Sequence, residues 1–121
     1  MDGNPRVYHL TTRVEWDSAT QSGTYRTSTR GMTIDDVGFI HASQGWQLSD
    51  TAARFYRDID GDLVVLTLDV RALEDAGIPV RYEDGGNGDA FPHLYAPVPC
   101  SLVESVQPAS FDESGGFVLS E

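Results

Sequence analysis

Gly38-Phe39-Ile40-His41-Ala42-Ser43 is the stretch around which this chain can be read. It is a short apolar run with one titratable side chain in its middle. Its β-branched and aromatic content predicts a strand, drawn here from Val37 to Ala42. The chain has three histidines, and the other two sit in similar runs, Tyr8-His9-Leu10 and Pro92-His93-Leu94. None is spent on a polar loop or tail. The expectation is that His41 lies on a central strand and that His9 and His93 flank the same cleft.

At 121 residues the chain is expected to form one domain with one core, about residues 6–107. Residues 109–121 read as an acidic tail or a loosely attached final strand around Phe117-Val118-Leu119. Net charge is −11, and all eight cations are arginine. The missing lysine excludes a Schiff-base lysine and a P-loop. The acidic balance argues against nonspecific binding to nucleic acid or to an anionic membrane. A small phosphorylated ligand held by a local arginine stays open. A single cysteine, Cys100, cannot form an internal disulfide, and no apolar run approaches a membrane span or a signal-peptide core. The expected location is the cytoplasm.

Around the histidine strand the rest of the chain alternates short strands and short helices. Arg6 to Thr11 reads as a strand, and Thr12 with Glu15 as the start of a helix over Arg13 to Gln21. Val14, Trp16 and Ala19 form that helix's apolar side, and Gly23 ends it. Thr24 to Ser28 reads as an edge strand and Thr29 to Asp36 as a polar loop. A second helix spans Gln47 to Arg57, followed by a turn at Asp60-Gly61-Asp62. Leu63 to Val70 is the most apolar, β-branched run and is placed centrally. A helical turn or two over Arg71 to Ala76 precedes strands at Pro79 to Glu83, Phe91 to Ala96 and Leu102 to Val106. A mobile, glycine-rich turn, Asp84 to Asp89, separates the first two of these. With no regular β-α-β period, the pattern predicts an α+β fold: a split, mostly antiparallel sheet with short helices.

Three groups of side chains point to chemistry. Two or three neutral imidazoles in one cleft suit hydrogen bonding to hydroxyls or phosphate, or acid–base work, with His9 and His41 the first choices and His93 the third. No metal is expected, because no helical HxxxH or HExxH spacing occurs. Glu83 ends a strand beside the flexible turn and is the candidate carboxylate. Arg13 at a helix N-terminus and Arg81 before Glu83 are candidate anion contacts. Arg6, Arg26, Arg54, Arg57 and Arg71 read as surface ion-pairing groups. Ser43 beside His41 reads as a hydrogen-bonding group, since no nucleophile elbow surrounds it. Trp46, Phe55, Phe91, Tyr95 and the other aromatics are core by default, with one or two near the histidines available to stack on a planar ring.

Tyr8-His9-Leu10 with Trp16, Gly38 to Ser43, Phe55-Tyr56, Leu63-Val64-Val65-Leu66, Tyr82-Glu83 and Phe91-Pro92-His93-Leu94-Tyr95-Ala96-Pro97 together resemble the bacterial family catalogued as domain of unknown function 952. The resemblance covers about Val7 to Val106. Ala96 stands where the family usually has glycine, and Val37 where an acid is common. The family has no established activity. The resemblance implies a fold similar to the ADP-ribosyltransferases, with an NAD cleft between two half-sheets. It looks closest to the branch that carries two histidines, which includes the tRNA 2′-phosphotransferases. On that resemblance His9 contacts a ribose of NAD or a related ligand, and His41 is the second signature residue. Glu83 takes the third, catalytic position if its strand aligns there. Thr11, Arg13, Ser43, Arg81, His93 and Tyr95 complete the expected ligand contacts. The implied activity is binding NAD or an ADP-ribose-like nucleotide, with transfer of ADP-ribose or cleavage of the nicotinamide–ribose bond. The alternatives are a noncatalytic nucleotide-binding module, or a hydrolase or metal site built on the histidines. The sequence names no macromolecular acceptor.

Overall fold

The computed structural model describes residues 3–29, 31–59, 61–85 and 88–119. Arg6–Thr12 forms strand β1, which turns directly into helix α1 (Arg13–Ser22). Thr12 makes that corner: its Oγ1 accepts from the Glu15 backbone N–H at 3.2 Å, satisfying one unpaired donor of the first helical turn. Gly23 closes α1 with a φ of 88°, a left-handed conformation that glycine adopts without steric cost. β2 (Thr24–Tyr25), α2 (Ile34–Val37) and β3 (Ile40–His41) follow. One turn of 3-10 helix then leads into α3 (Leu48–Phe55). β4 (Leu63–Asp69) runs into α4 (Val70–Asp75), where the Asp69 carboxylate accepts from the backbone N–H groups of Arg71 and Ala72. β5 (Val80–Asp84), β6 (Ala90–Leu94), β7 (Val98–Pro99), β8 (Val103–Phe111) and β9 (Phe117–Leu119) complete the described elements.

Every strand pair is antiparallel. Four strands form one sheet in the order β1-β4-β8-β9, three form a second in the order β3-β6-β5, and β2 pairs with β7. Among the described residues, one bridge joins the larger sheets. Tyr8 donates to the Ser43 carbonyl at 2.8 Å, and Ser43 donates back to the Tyr8 carbonyl at 2.7 Å. The fold is therefore α+β, with a mostly antiparallel, curled sheet and short helices. β4 lies between β1 and β8 and is buried on both faces. Val64, Leu66 and Leu68 enter a core with Val7, Ile40, Leu73 and Leu94. Leu63 and Val65 enter another with Leu10, Leu48, Ala52 and Tyr56. Burial on both faces is why β4 reads as a nearly continuous apolar run, broken by Thr67, instead of an alternating one.

Several expectations need correction. β3 is an edge of its own sheet, not a central strand, and it is short because Gly38, at φ 98°, caps α2 in a left-handed conformation. The expected loop from Thr29 to Asp36 holds the first residues of α2, with the Asp36 carboxylate accepting from the Thr33 N–H at 2.9 Å. Val14 is 77% exposed and Trp46 67% exposed, so neither is core. The segment after residue 109 contributes the end of β8 and the hairpin strand β9, paired at Ala109–Leu119. Asp60 of one expected turn, and residues 86 and 87 of the other, lie outside the described residues.

Candidate functional site

The open face of the β3-β6-β5 sheet carries most of the expected site. Register decides which side chains share it. His41 pairs with His93 across β3 and β6, while Arg81 pairs with His93 and Glu83 with Phe91 across β6 and β5. Directly paired residues lie on the same face, and the pleat repeats every second residue. His41, Phe91, His93, Glu83 and Arg81 are thereby brought together, while Ile40 and Leu94 point into the core. Tyr95 extends the same face beyond the end of β6.

Above this face lies a cleft of about 280 Å³, walled mainly by Phe39, His41, Phe55, Phe91 and His93, with Ser28, Met32, Arg54 and Asp84 at its margins. Phe39 stacks on His93 with ring centroids 3.9 Å apart and planes 16° from parallel. The His41 and His93 rings are 5.5 Å apart. His41 donates its backbone N–H to the Ser28 hydroxyl at 3.1 Å, but its ring is less well served. Nε2 is buried and meets no hydrogen-bond partner among the described residues. Burial, then the charges of His93 and Arg54, lower its pKa to about 4. At neutral pH this ring is uncharged and has one hydrogen-bonding nitrogen uncommitted to the protein.

His93 is held differently. Its Nδ1 lies 2.8 Å from Glu83 Oε1, and the Tyr95 hydroxyl donates to that same oxygen. The Tyr95 and His93 hydrogen bonds hold the Glu83 carboxyl below the usual carboxylate range, against a smaller opposing effect of burial. The same contact raises the Tyr95 phenol. The Arg81 guanidinium lies 5.1 Å over the Tyr95 ring, and its charge also favours ionised Glu83.

His9 does not join this cleft, which corrects the expectation that His9 and His41 line one opening. The bridge pairs Tyr8 with Ser43, and His41 shares the parity of Ser43, so His9 falls on the opposite side. Its ring is 2% exposed. Nδ1 lies 2.6 Å from the His41 carbonyl oxygen, and Nε2 lies 2.7 Å from the Tyr25 hydroxyl. A carbonyl can only accept, so the proton sits on Nδ1, and Tyr25 donates to Nε2. Burial lowers the His9 pKa to about 4, overriding the His41 backbone bond that favours the charged ring. Thr11 and Thr27 lie near the Tyr25 hydroxyl and favour its ionised form against the larger effect of burial, and Thr27 donates to Glu15 at 3.0 Å. His9 and Thr11 therefore belong to a satisfied polar network inside the fold, joining β1, β2, β3 and α1.

Ser43 is 2% exposed, and its hydroxyl pairs with that of Thr51 at 3.0 Å. Arg13 begins α1 and donates its backbone N–H to the Asp62 carbonyl. Neither residue lines the histidine cleft. Conversely, Arg54, dismissed as a surface ion-pairing group, borders it and lies 5.2 Å over the Phe55 ring. Arg6 does pair with acids, Glu104 and Asp69. Phe39 and Ser28 were also missed. Phe39 stood in the quoted stretch, whereas Ser28 becomes relevant only through the fold.

A second hollow, of about 360 Å³, is bounded by Thr11, Thr12, Glu15, Tyr56 and Asp62 among others. It is larger, but its polar groups are largely occupied. Thr12 caps α1, Glu15 accepts from Thr27, and the Asp62 carbonyl accepts from Arg13. The histidine cleft, with an unsatisfied nitrogen in its wall, is the better candidate. Among the described residues no group of three or more His, Cys, Asp or Glu could hold a metal ion. No helix among them is long and apolar enough to cross a membrane.

Residues 10–106 match the family described as protein of unknown function (DUF952), a span that includes His41, Glu83 and His93. The chain is similar to the crystal structure of protein CC0527 from Caulobacter crescentus, with 31% identity over 93% of each chain and a TM-score of 0.79. The solution NMR structure of CC0527 gives 32% identity over 92% of this chain and 90% of that one, with a TM-score of 0.72. No curated protein matches the chain.

Proposed function

Because the chain belongs to the DUF952 family, whose description assigns no activity, its function must be read from its own side chains, and we propose that the His41–His93 cleft binds a small nucleotide-like ligand of the NAD or ADP-ribose class. The observation that carries this reading is the buried Nε2 of His41, which has no hydrogen-bond partner among the described residues, on a ring that lines an aromatic cleft. An unpaired buried polar group costs about 1–3 kcal/mol, and a ligand hydroxyl, amide or ring nitrogen would recover that cost. Phe39, Phe55 and Phe91 offer faces and edges to a planar ring. At about 280 Å³ the cleft lies just below the usual range of ligand pockets, about 300 to 1,000 Å³. It takes a ring and its sugar, leaving phosphates outside, near Arg54.

Likeness to the ADP-ribosyltransferase fold enters as part of this proposal. What supports it is a cleft on a curled, mostly antiparallel sheet with two histidines side by side in its wall. Transfer of ADP-ribose or cleavage of the nicotinamide–ribose bond would need the ribose held and a developing positive charge stabilised. In this reading His41 and His93, which line the cleft, take those tasks, with Glu83 behind His93. A cytoplasmic location accords with the single cysteine and is part of the same reading.

Thermal unfolding with NAD or ADP-ribose tests the proposal. At concentrations well above the dissociation constant, a ligand specific to the folded state raises Tm. That rise should vanish in His41→Ala and persist in His9→Gln. No rise with either compound at millimolar concentration would refute the ligand class. Release of nicotinamide from NAD then separates an enzyme from a binding module.

A further inference from the structure

Glu83, His93 and Tyr95 form a chain of contacts that ligand binding alone does not require. Glu83 is ionised, since the hydrogen bonds from Tyr95 and His93 both favour the carboxylate. A carboxylate only accepts, so Nδ1 of His93, 2.8 Å away, carries the proton. In the neutral ring Nε2 then holds a free lone pair. The ring cannot easily turn to trade nitrogens, because Phe39 stacks on it at 3.9 Å and β6 fixes its backbone between β3 and β5. The ring borders the cleft, and Nε2 is the nitrogen that Glu83 does not engage.

We propose that His93 is the general base of this cleft and that Glu83 is its positioning residue. The substrate class is a hydroxyl compound, or a water attacking a bound ligand. The proposal rests on the ligand reading of the cleft and deepens it from binding to acid–base catalysis. In the step, the O–H bond of the water or hydroxyl breaks and its proton joins Nε2. The imidazolium that forms is balanced by the Glu83 carboxylate across the Nδ1–H bond. The oxygen left with the electron pair attacks the ligand. A departing nicotinamide takes the electron pair of the broken bond and leaves neutral, so the proton on Nε2 passes to solvent; a departing alkoxide takes that proton from Nε2–H instead, and no other reagent is needed. Arg54, at the margin of the cleft, is left to the phosphates of the ligand.

Two readouts that need no ligand test this assignment. Long-range ¹H–¹⁵N imidazole correlations on the whole chain should show His93 protonated on Nδ1 at slightly alkaline pH. Glu83→Gln should lose that fixed tautomer, whereas Tyr95→Phe, which leaves the Glu83–His93 bond in place, should retain it. Diethyl pyrocarbonate, mapped by mass spectrometry, should modify His93 several-fold faster than His9, both of whose nitrogens are bonded. Glu83→Gln should slow the His93 reaction several-fold. A wild-type His93 protonated on Nε2 would overturn the proposal without recourse to any variant. So would a His93 no more reactive than His9, or one whose tautomer and rate are unchanged in Glu83→Gln. Failure of NAD or ADP-ribose to bind, with these His93 results as expected, would count against the ligand class alone.

Discussion

Acid should destabilise this fold through His9, and the size of the effect follows from where the ring sits. His9 is 2% exposed and is neutral in the fold, donating to the His41 carbonyl and accepting from Tyr25. The unfolded ring takes a proton near 6.5, whereas burial delays the folded ring to about 4. Between these values the unfolded chain binds more protons than the folded one, so stability falls as pH falls. The contribution is intact above about pH 6.5, and at about 1.4 kcal/mol per pH unit roughly 2 kcal/mol of it is lost by about pH 5. Urea unfolding of the wild type and of His9→Gln, each at about pH 7.5 and about pH 5, isolates this loss, because carboxylate titration is common to both chains. The wild type should lose about 2 kcal/mol more than the variant over that interval. Equal losses would refute the assignment of His9 as a buried neutral core residue.

Three further outcomes follow from the same contacts. Tyr25→Phe removes the donor to His9 Nε2 and should cost about 1–3 kcal/mol in urea unfolding, with no effect on reactions at the His41–His93 cleft. A Cβ on Gly85 would lie 2.4 Å from Phe91 Cδ1, so Gly85→Ala should destabilise by about 1–3 kcal/mol and weaken ligand binding by displacing Phe91. Thr12→Ala removes the α1 cap and should cost about 1 kcal/mol in thermal or urea unfolding, leaving the cleft unchanged.

Legibility in the sequence tracked how local each determinant is. β4 could be read because burial on both faces leaves an apolar run from Leu63 to Leu66, resumed at Leu68. The end of α1 could be read because Gly23 meets a backbone need within a few residues. α2 escaped notice because its four residues bury one side chain, Ile34, and its signal is only Thr33 with Asp36. The histidine stretch misled in an instructive way. Apolar neighbours marked all three histidines as unusual but could not say which face each would occupy. That depended on the Tyr8–Ser43 bridge, a pairing between residues far apart in sequence. One step of register sent His9 into the core and left His41 on the open face. The Glu83–His93 bond likewise depends on β5–β6 register, and Arg54 reaches the cleft only through the placement of α3.

The central claim, that the His41–His93 cleft is the ligand site, is tested most directly by chemical-shift mapping with ADP-ribose and with NAD. Saturable shifts are expected at Phe39, His41, Arg54, Phe91 and His93, with Thr12, Tyr56 and Asp62 of the larger hollow unmoved. No shifts at millimolar ligand, or shifts confined to that hollow, would contradict it.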